Sequence, residues 1–213
     1  MLHPGVDSGR FARDYEERLR TRERLGIGAH DVALLFVGMN FEHKGLEMVI
    51  RAIARAAVSP DAPMIRLIVV GRGDAVRYRD IASALGLKER VAFEGLCDSR
   101  IETYYHAADA FIMRSAYETF CMAALEAMAA GIPVIITNRM GICDLVRDGD
   151  HGIVVPADAG EDVVAAAIVR LTDPSLRARM GERASAVARA HDWGAVTARL
   201  EGEYVRAVQR ANV

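Results

Sequence analysis

The chain has 213 residues, 52% of them hydrophobic, enough for one large domain or two small ones with a sizeable core. Its 27 basic and 29 acidic residues leave a formal net charge of -2, so no whole-chain field draws it to nucleic acid or to an anionic membrane. Three widely spaced cysteines in apolar surroundings, Cys97, Cys121 and Cys143, point to reduced thiols, and no CxxC or HExxH pairing marks a metal site, so neither metal nor cofactor is expected.

The opening "MLHPGVDSGRF" lacks the basic and apolar blocks of a signal peptide, and no apolar run reaches the roughly 18 residues of a membrane span. A cytosolic protein without membrane insertion is expected. Next comes a charged helical segment, Arg10 to Leu25, whose interleaved signs read as a solvated helix face with i,i+4 pairs. From there short β-branched runs alternate with stretches of helical period. The strand candidates are "VALLFV" (32–37), "MIRLIVV" (64–70), "VAFEG" (91–95), "AFIM" (110–113), "PVIIT" (133–137) and "GIVV" (152–155). Between them lie "KGLEMVIRAIARAA", "YRDIASALGL", "SRIETYYHAA", "TFCMAALEAMAA" and "GICDLVRD", and three helical stretches follow, near 160–172, 174–191 and 195–211. Strands apolar on both faces, alternating with helices, predict an α/β fold: a doubly wound parallel sheet of about six strands, with ligands at the carboxyl ends of the strands.

Thr119 to Ala130 reads as a helix without a polar face, yet Glu126 sits in its middle. A buried, unpaired carboxylate costs several kcal/mol, so Glu126 has either a structural salt-bridge partner or a ligand. Glu118 also has two readings. "SAYE" fits a capping box with Ser115 as N-cap, and the position after a strand fits a ligand contact. Eight helical positions between the glutamates give about 12 Å of rise and about 80° of rotation, so both carboxylates can face one elongated ligand near the helix's first turns. Free amides there favour an anion, and carboxylates on either side accept hydrogen bonds from hydroxyls, which together describe a nucleotide sugar. Lys44 reads either as a first-turn residue of an exposed helix or as a phosphate contact. His43 reads as a surface residue. "GRGDAV" fails the dinucleotide fingerprint because Val76 takes its third glycine position, and "DGD" at Asp148 to Asp150 reads as a turn.

The stretch "HAADAFIMRSAYETFCMAALEAMAAGIPVIIT" resembles the signature of glycosyltransferase family 4, with its E-x7-E element. "HPGVDSGRF", "LLFVGMNFEHKGLEMVIRAI", "LIVVGRGD", "LGLKERVAFEGL" and "DGDHGIVVPADAGEDV" match in the family's order over nearly the whole chain. The resemblance implies a Rossmann-like, donor-binding C-terminal half of a GT-B enzyme, with residues 1–25 as interdomain junction and leading helix and residues 26–213 as the nucleotide-sugar-binding domain. It implies retaining transfer of a hexose from a UDP-sugar, without metal, to a glycan or glycolipid acceptor held by another domain. It makes Lys44 and Glu118 catalytic, with Lys44 on the diphosphate and Glu118 on the sugar. Glu126 would bind ribose, with Phe120, Cys121, Met122 and Gly38 around the donor and the base near Leu96 and Cys97. The full-length enzyme would be cytoplasmic or peripheral at the inner membrane. "VGMNFEHKG" is similar to lipopolysaccharide core glucosyltransferases, which also lack an arginine at the place of Met39; Thr119 and Cys121 stand where the family has glycine. A GT-B phosphorylase, a nucleotide-sugar epimerase and a non-catalytic nucleotide-binding module are the alternatives.

Overall fold

The computed structural model describes residues 2–57, 63–97 and 99–211. In chain order the elements are α1 (Ser8–Phe11), α2 (Tyr15–Arg24), β1 (Val32–Met39), α3 (Leu46–Ala56), β2 (Ile65–Arg72), α4 (Ala75–Ala84), β3 (Val91–Gly95), α5 (Glu102–Ala107), β4 (Ala110–Ile112), α6 (Met122–Ala129), β5 (Val134–Thr137), β6 (Gly152–Val155), α7 (Glu161–Arg170), α8 (Pro174–Ala190) and α9 (Trp193–Ala211).

Among the described residues six strands form one parallel sheet in the order β3-β2-β1-β4-β5-β6. Period-2 alternation divides their apolar side chains between two cores. Ala33 and Leu35 of β1 pack with α5 and α6 on one face, while Leu34 and Phe36 pack with α3, α4 and α7 on the other. Both faces of the central strands are covered, which is why β1 and β4 carry no polar side chain; each fully buried Leu or Phe contributes about 1.5–3 kcal/mol. The order reverses between β1 and β4: the chain leaves β1 toward β2 on one side and leaves β4 toward β5 on the other. The crevice beyond the carboxyl ends of these two strands is where such a sheet takes its ligand.

Strands "VAFEG" and "GIVV" have the predicted bounds, whereas β1 and β2 run two residues further because Gly38↔Gly71 and Met39↔Arg72 continue their register. Three helical expectations fail, each for a non-local reason. The helix expected from Thr119 begins only at Met122, because the carbonyls of Glu118 and Phe120 accept bonds from the Gly141 and Ile142 amides (3.0 and 2.8 Å) and Cys121 takes φ +83°. Those same bonds reduce "GICDLVRD" to a 3₁₀ turn over Gly141–Asp144. The leading segment, expected as one solvated helix, is two helices. Its Glu16–Arg20 pair is exposed as expected, but Arg22 is buried and Arg18 is half-buried.

Arg18 and Arg22 both reach Asp109, at 2.7 and 2.9 Å, and they donate to the carbonyls of His106, Ala107 and Ala108 that end α5. The second oxygen of Asp109 also accepts the Ala33 amide at 2.8 Å. One carboxylate thus ties α2 to the point where α5 gives way to β4 and to β1. "DGD" is a turn as expected, with Gly149 at φ +78° and Asp148 bonded to the Val154 amide. Among the described residues no helix is long and apolar enough to cross a membrane.

Candidate functional site

Two loops meet in the β1/β4 crevice. After β1 the chain turns through Asn40, at φ +62°, whose amide donates to Arg72 O and whose carbonyl accepts the Lys44 amide. Gly45 then opens α3 at φ +75°, and a Cβ there would sit 2.1 Å from the Arg114 carbonyl. Only glycine lets the turn after β1 lie directly on the chain leaving β4. The Ser115 hydroxyl clasps the same contact, 3.1 Å from the His43 carbonyl and 2.8 Å from that of Tyr117, and Thr137 donates to Ser115 O at 2.6 Å. Ser115 is therefore not a helix cap, because no helix begins there, and the capping-box reading of Glu118 falls with it.

Glu118 instead pairs with Lys44, whose ammonium reaches both carboxylate oxygens. Lys44 lies in the turn before α3 rather than in its first turn, which overturns the exposed-helix reading; His43 is exposed. The stem of Lys44 crosses Gly38, where a Cβ would stand 3.0 Å from its Cγ. Gly38 thus leaves room for the lysine stem. Met39, in the place of the family's arginine, is exposed.

Beyond Glu118 the chain bends at Thr119 and passes through Phe120 to Cys121, which caps α6 without a side-chain hydrogen bond. The amides of Phe120, Cys121, Met122 and Ala123 have no acceptor among the described residues. This cluster of free donors, with the positive end of the α6 dipole behind it, is suited to an anion. The Cys121 side chain turns inward to 3.7 Å from Met113 Sδ, and burial pushes its thiol up to about 12, so it is a neutral packing group and does not narrow the space beside the loop. Thr119, by contrast, is exposed.

Glu126 is half-buried on the second turn of α6 and makes no ion pair among the described residues, so the salt-bridge reading is overturned. Its partner is the Tyr105 hydroxyl at 2.6 Å. Burial pushes the Glu126 carboxyl upward, and the Tyr105 hydroxyl and the Arg10 charge oppose that. Glu126 lines a cavity of about 310 Å³ together with Met122, Cys97, Ile101, Arg10 and Trp193. Leu96 is exposed and stands outside this lining. The expected rotation of about 80° between two helical glutamates does not apply, since Glu118 is not helical. One stretch of chain, 118–126, nevertheless carries both carboxylates with the free amides between them. A larger cavity of about 600 Å³ lies between α1 and α8, beside the carboxyl end of α6, and holds none of these groups.

Tyr105 escaped sequence reasoning, although a tyrosine in the apolar "TYYHAA" needs a polar partner once buried. His3 also escaped it; its ring stacks on Phe120 with centroids 5.7 Å apart and brings the leading segment to the loop. No group of three or more His, Cys, Asp or Glu residues among the described residues has the geometry to hold a metal ion.

The sequence model of the family described as "Glycosyl transferases group 1" matches residues 17–187. The D-inositol 3-phosphate glycosyltransferase of Corynebacterium glutamicum is 30% identical over 220 residues, covering 100% of this chain and 53% of the relative. The chain spans about half the length of the curated relatives it matches. WaaG, a glycosyltransferase involved in lipopolysaccharide biosynthesis, superposes with TM-score 0.77 at 26% identity, covering 90% of this chain and 52% of its own. The Anabaena protein HepE, solved in complex with UDP and glucose, has the same fold, with TM-score 0.83 at 21% identity over 96% of this chain and 56% of its own.

Proposed function

The chain belongs to the glycosyl transferases group 1 family, and from that premise we propose that it binds the nucleotide-sugar donor for a retaining hexosyltransferase. The observation that carries the reading is the meeting of Lys44, Glu118 and the free amides of Phe120 to Ala123 in the β1/β4 crevice. A diphosphate on those amides attracts the Lys44 ammonium away from Glu118, and the released carboxylate then accepts hydrogen bonds from the sugar. As the bond from anomeric carbon to oxygen stretches, positive charge grows on the sugar and negative charge on the leaving diphosphate. The amides and Lys44 are placed for that leaving charge, and such preorganised electrostatics usually supply the largest catalytic term. The cavity beside Glu126, Met122 and Cys97 takes the nucleoside, with Glu126 on the ribose. UDP as the nucleotide is supported by the likeness to HepE.

The acceptor belongs to the other half of the enzyme. The "NFEHKG" stretch and the likeness to WaaG support a lipopolysaccharide-type or other glycan acceptor, while the inositol phosphate relatives favour a phosphorylated cyclitol. Turnover of the two-domain enzyme on each acceptor separates them.

Glu126→Gln tests the donor site, because the amide keeps the size but loses the charge-assisted acceptor. By calorimetry it is expected to weaken UDP binding about tenfold with an unchanged unfolding transition. Unchanged affinity would remove Glu126 from the site.

A further inference from the structure

Tyr105 is fully buried, so its hydroxyl sees no solvent, and its hydrogen bond to Glu126 Oε2 at 2.6 Å has the short length of a donor on a carboxylate. It reaches Glu126 from α5 across the apolar core, and among the described residues only one of the two carboxylate oxygens is so held. Glu126 meanwhile lines the 310 Å³ cavity. A half-buried carboxylate held at one oxygen has its rotamer fixed and its second oxygen left for another donor.

We propose that Tyr105 is a positioning residue of the donor site: its hydroxyl fixes one oxygen of Glu126 so that the other is presented to the ribose hydroxyls. The inference rests on the ribose reading of Glu126 given above. The geometry also sets how the site responds to pH. Among the described residues, the titratable groups that face Glu126 are Tyr105 of α5, Cys121 before α6, Arg10 of α1, Asp7 in the turn before α1 and Cys97 after β3. Arg10 is already engaged by Glu102 at 2.9 Å. Burial pushes the Glu126 carboxyl upward, and the Tyr105 hydroxyl is the largest influence holding it down. Tyr105 therefore keeps Glu126 an anion, the form that accepts two ribose hydroxyls, to lower pH than burial alone would permit.

The test is a calorimetric cycle of the parent chain, Tyr105→Phe, Glu126→Gln and the double variant, each titrated with UDP and with 2′-deoxy-UDP across pH. Phenylalanine keeps the ring in the core, so the unfolding transition serves as the control for packing. Tyr105→Phe is expected to weaken UDP about 3- to 10-fold and to shrink the preference for UDP over 2′-deoxy-UDP. It should move the acid midpoint of binding to higher pH and add no loss in the Glu126→Gln background. An equal loss in both backgrounds, or an unmoved midpoint, overturns the positioning role while leaving the ribose reading intact. If Glu126→Gln alone leaves UDP affinity and the deoxy preference unchanged, the ribose reading fails, and this inference with it.

Discussion

Lys44→Ala is expected to lower turnover of the two-domain enzyme about 100- to 1,000-fold while leaving the fold in place. That range is what removing one preorganised charge or donor from a leaving-group or oxyanion site costs. Lys44 is the one cation that the described residues bring onto the Glu118 carboxylate, and Met39 supplies no charge at the position where an arginine would share the load. Folding should tolerate the change. The Lys44 stem lies over Gly38 and both side chains of the pair reach solvent, so a Glu118 carboxylate without its partner can take up water. Because the charge acts mainly as the bond breaks, kcat should fall more than the donor KM rises. Turnover within a factor of three of the parent would remove Lys44 from the leaving-group role.

Asp109→Ala is expected to destabilise the chain by about 3–5 kcal/mol, a large share of the whole stability of a domain. The change leaves Arg18 and the buried Arg22 facing each other without a counterion and frees the Ala33 amide. Burial by itself would raise the Asp109 carboxyl, but the Arg18 charge, the Ala33 amide and Arg22 overcome it and hold it below the usual range. The folded value is depressed relative to the unfolded one, near 3.9, so the contribution is complete above that value and disappears as pH falls through the folded one. Asp109→Asn keeps the shape and loses the charge, so its stability should lack that acid-side decline. Urea midpoints from pH 7 down to pH 2 measure both effects; a loss below 1 kcal/mol for Asp109→Ala would show that α2 is not held by this carboxylate.

The sheet was legible because the apolar runs are local signals: six strands, their parallel winding and the residues nearest the crevice follow from the order of runs and helical stretches. What failed was set by partners distant in sequence. Nothing in "ETFC" announces that the amides of Gly141 and Ile142 will take its carbonyls, so the local pattern starts the helix three residues before Met122 and puts Glu118 in line with it. Nothing in "RDYEERLRTRERL" separates Arg18 and Arg22 from their exposed neighbours; Asp109, about ninety residues away, does that. The anomaly of Glu126 was legible as a carboxylate in an apolar helix. Its partner was not, because the choice between a cation, a ligand and a tyrosine depends on which helix packs opposite. Cys121 shows the limit of reading a site by substitution. At φ +83° it occupies a conformation that favours glycine, yet its thiol lies in the core and leaves the crevice unaltered.

A nucleotide-sugar site in the β1/β4 crevice is most directly tested by titrating UDP into the uniformly ¹⁵N-labelled chain and following the backbone amides. The arrangement predicts the largest shifts at Phe120 to Ala123, whose amides have no acceptor among the described residues, with further shifts at Gly38, Lys44, Cys97 and Glu126. Saturable shifts confined to other parts of the surface, with residues 118–126 unmoved, would contradict the site.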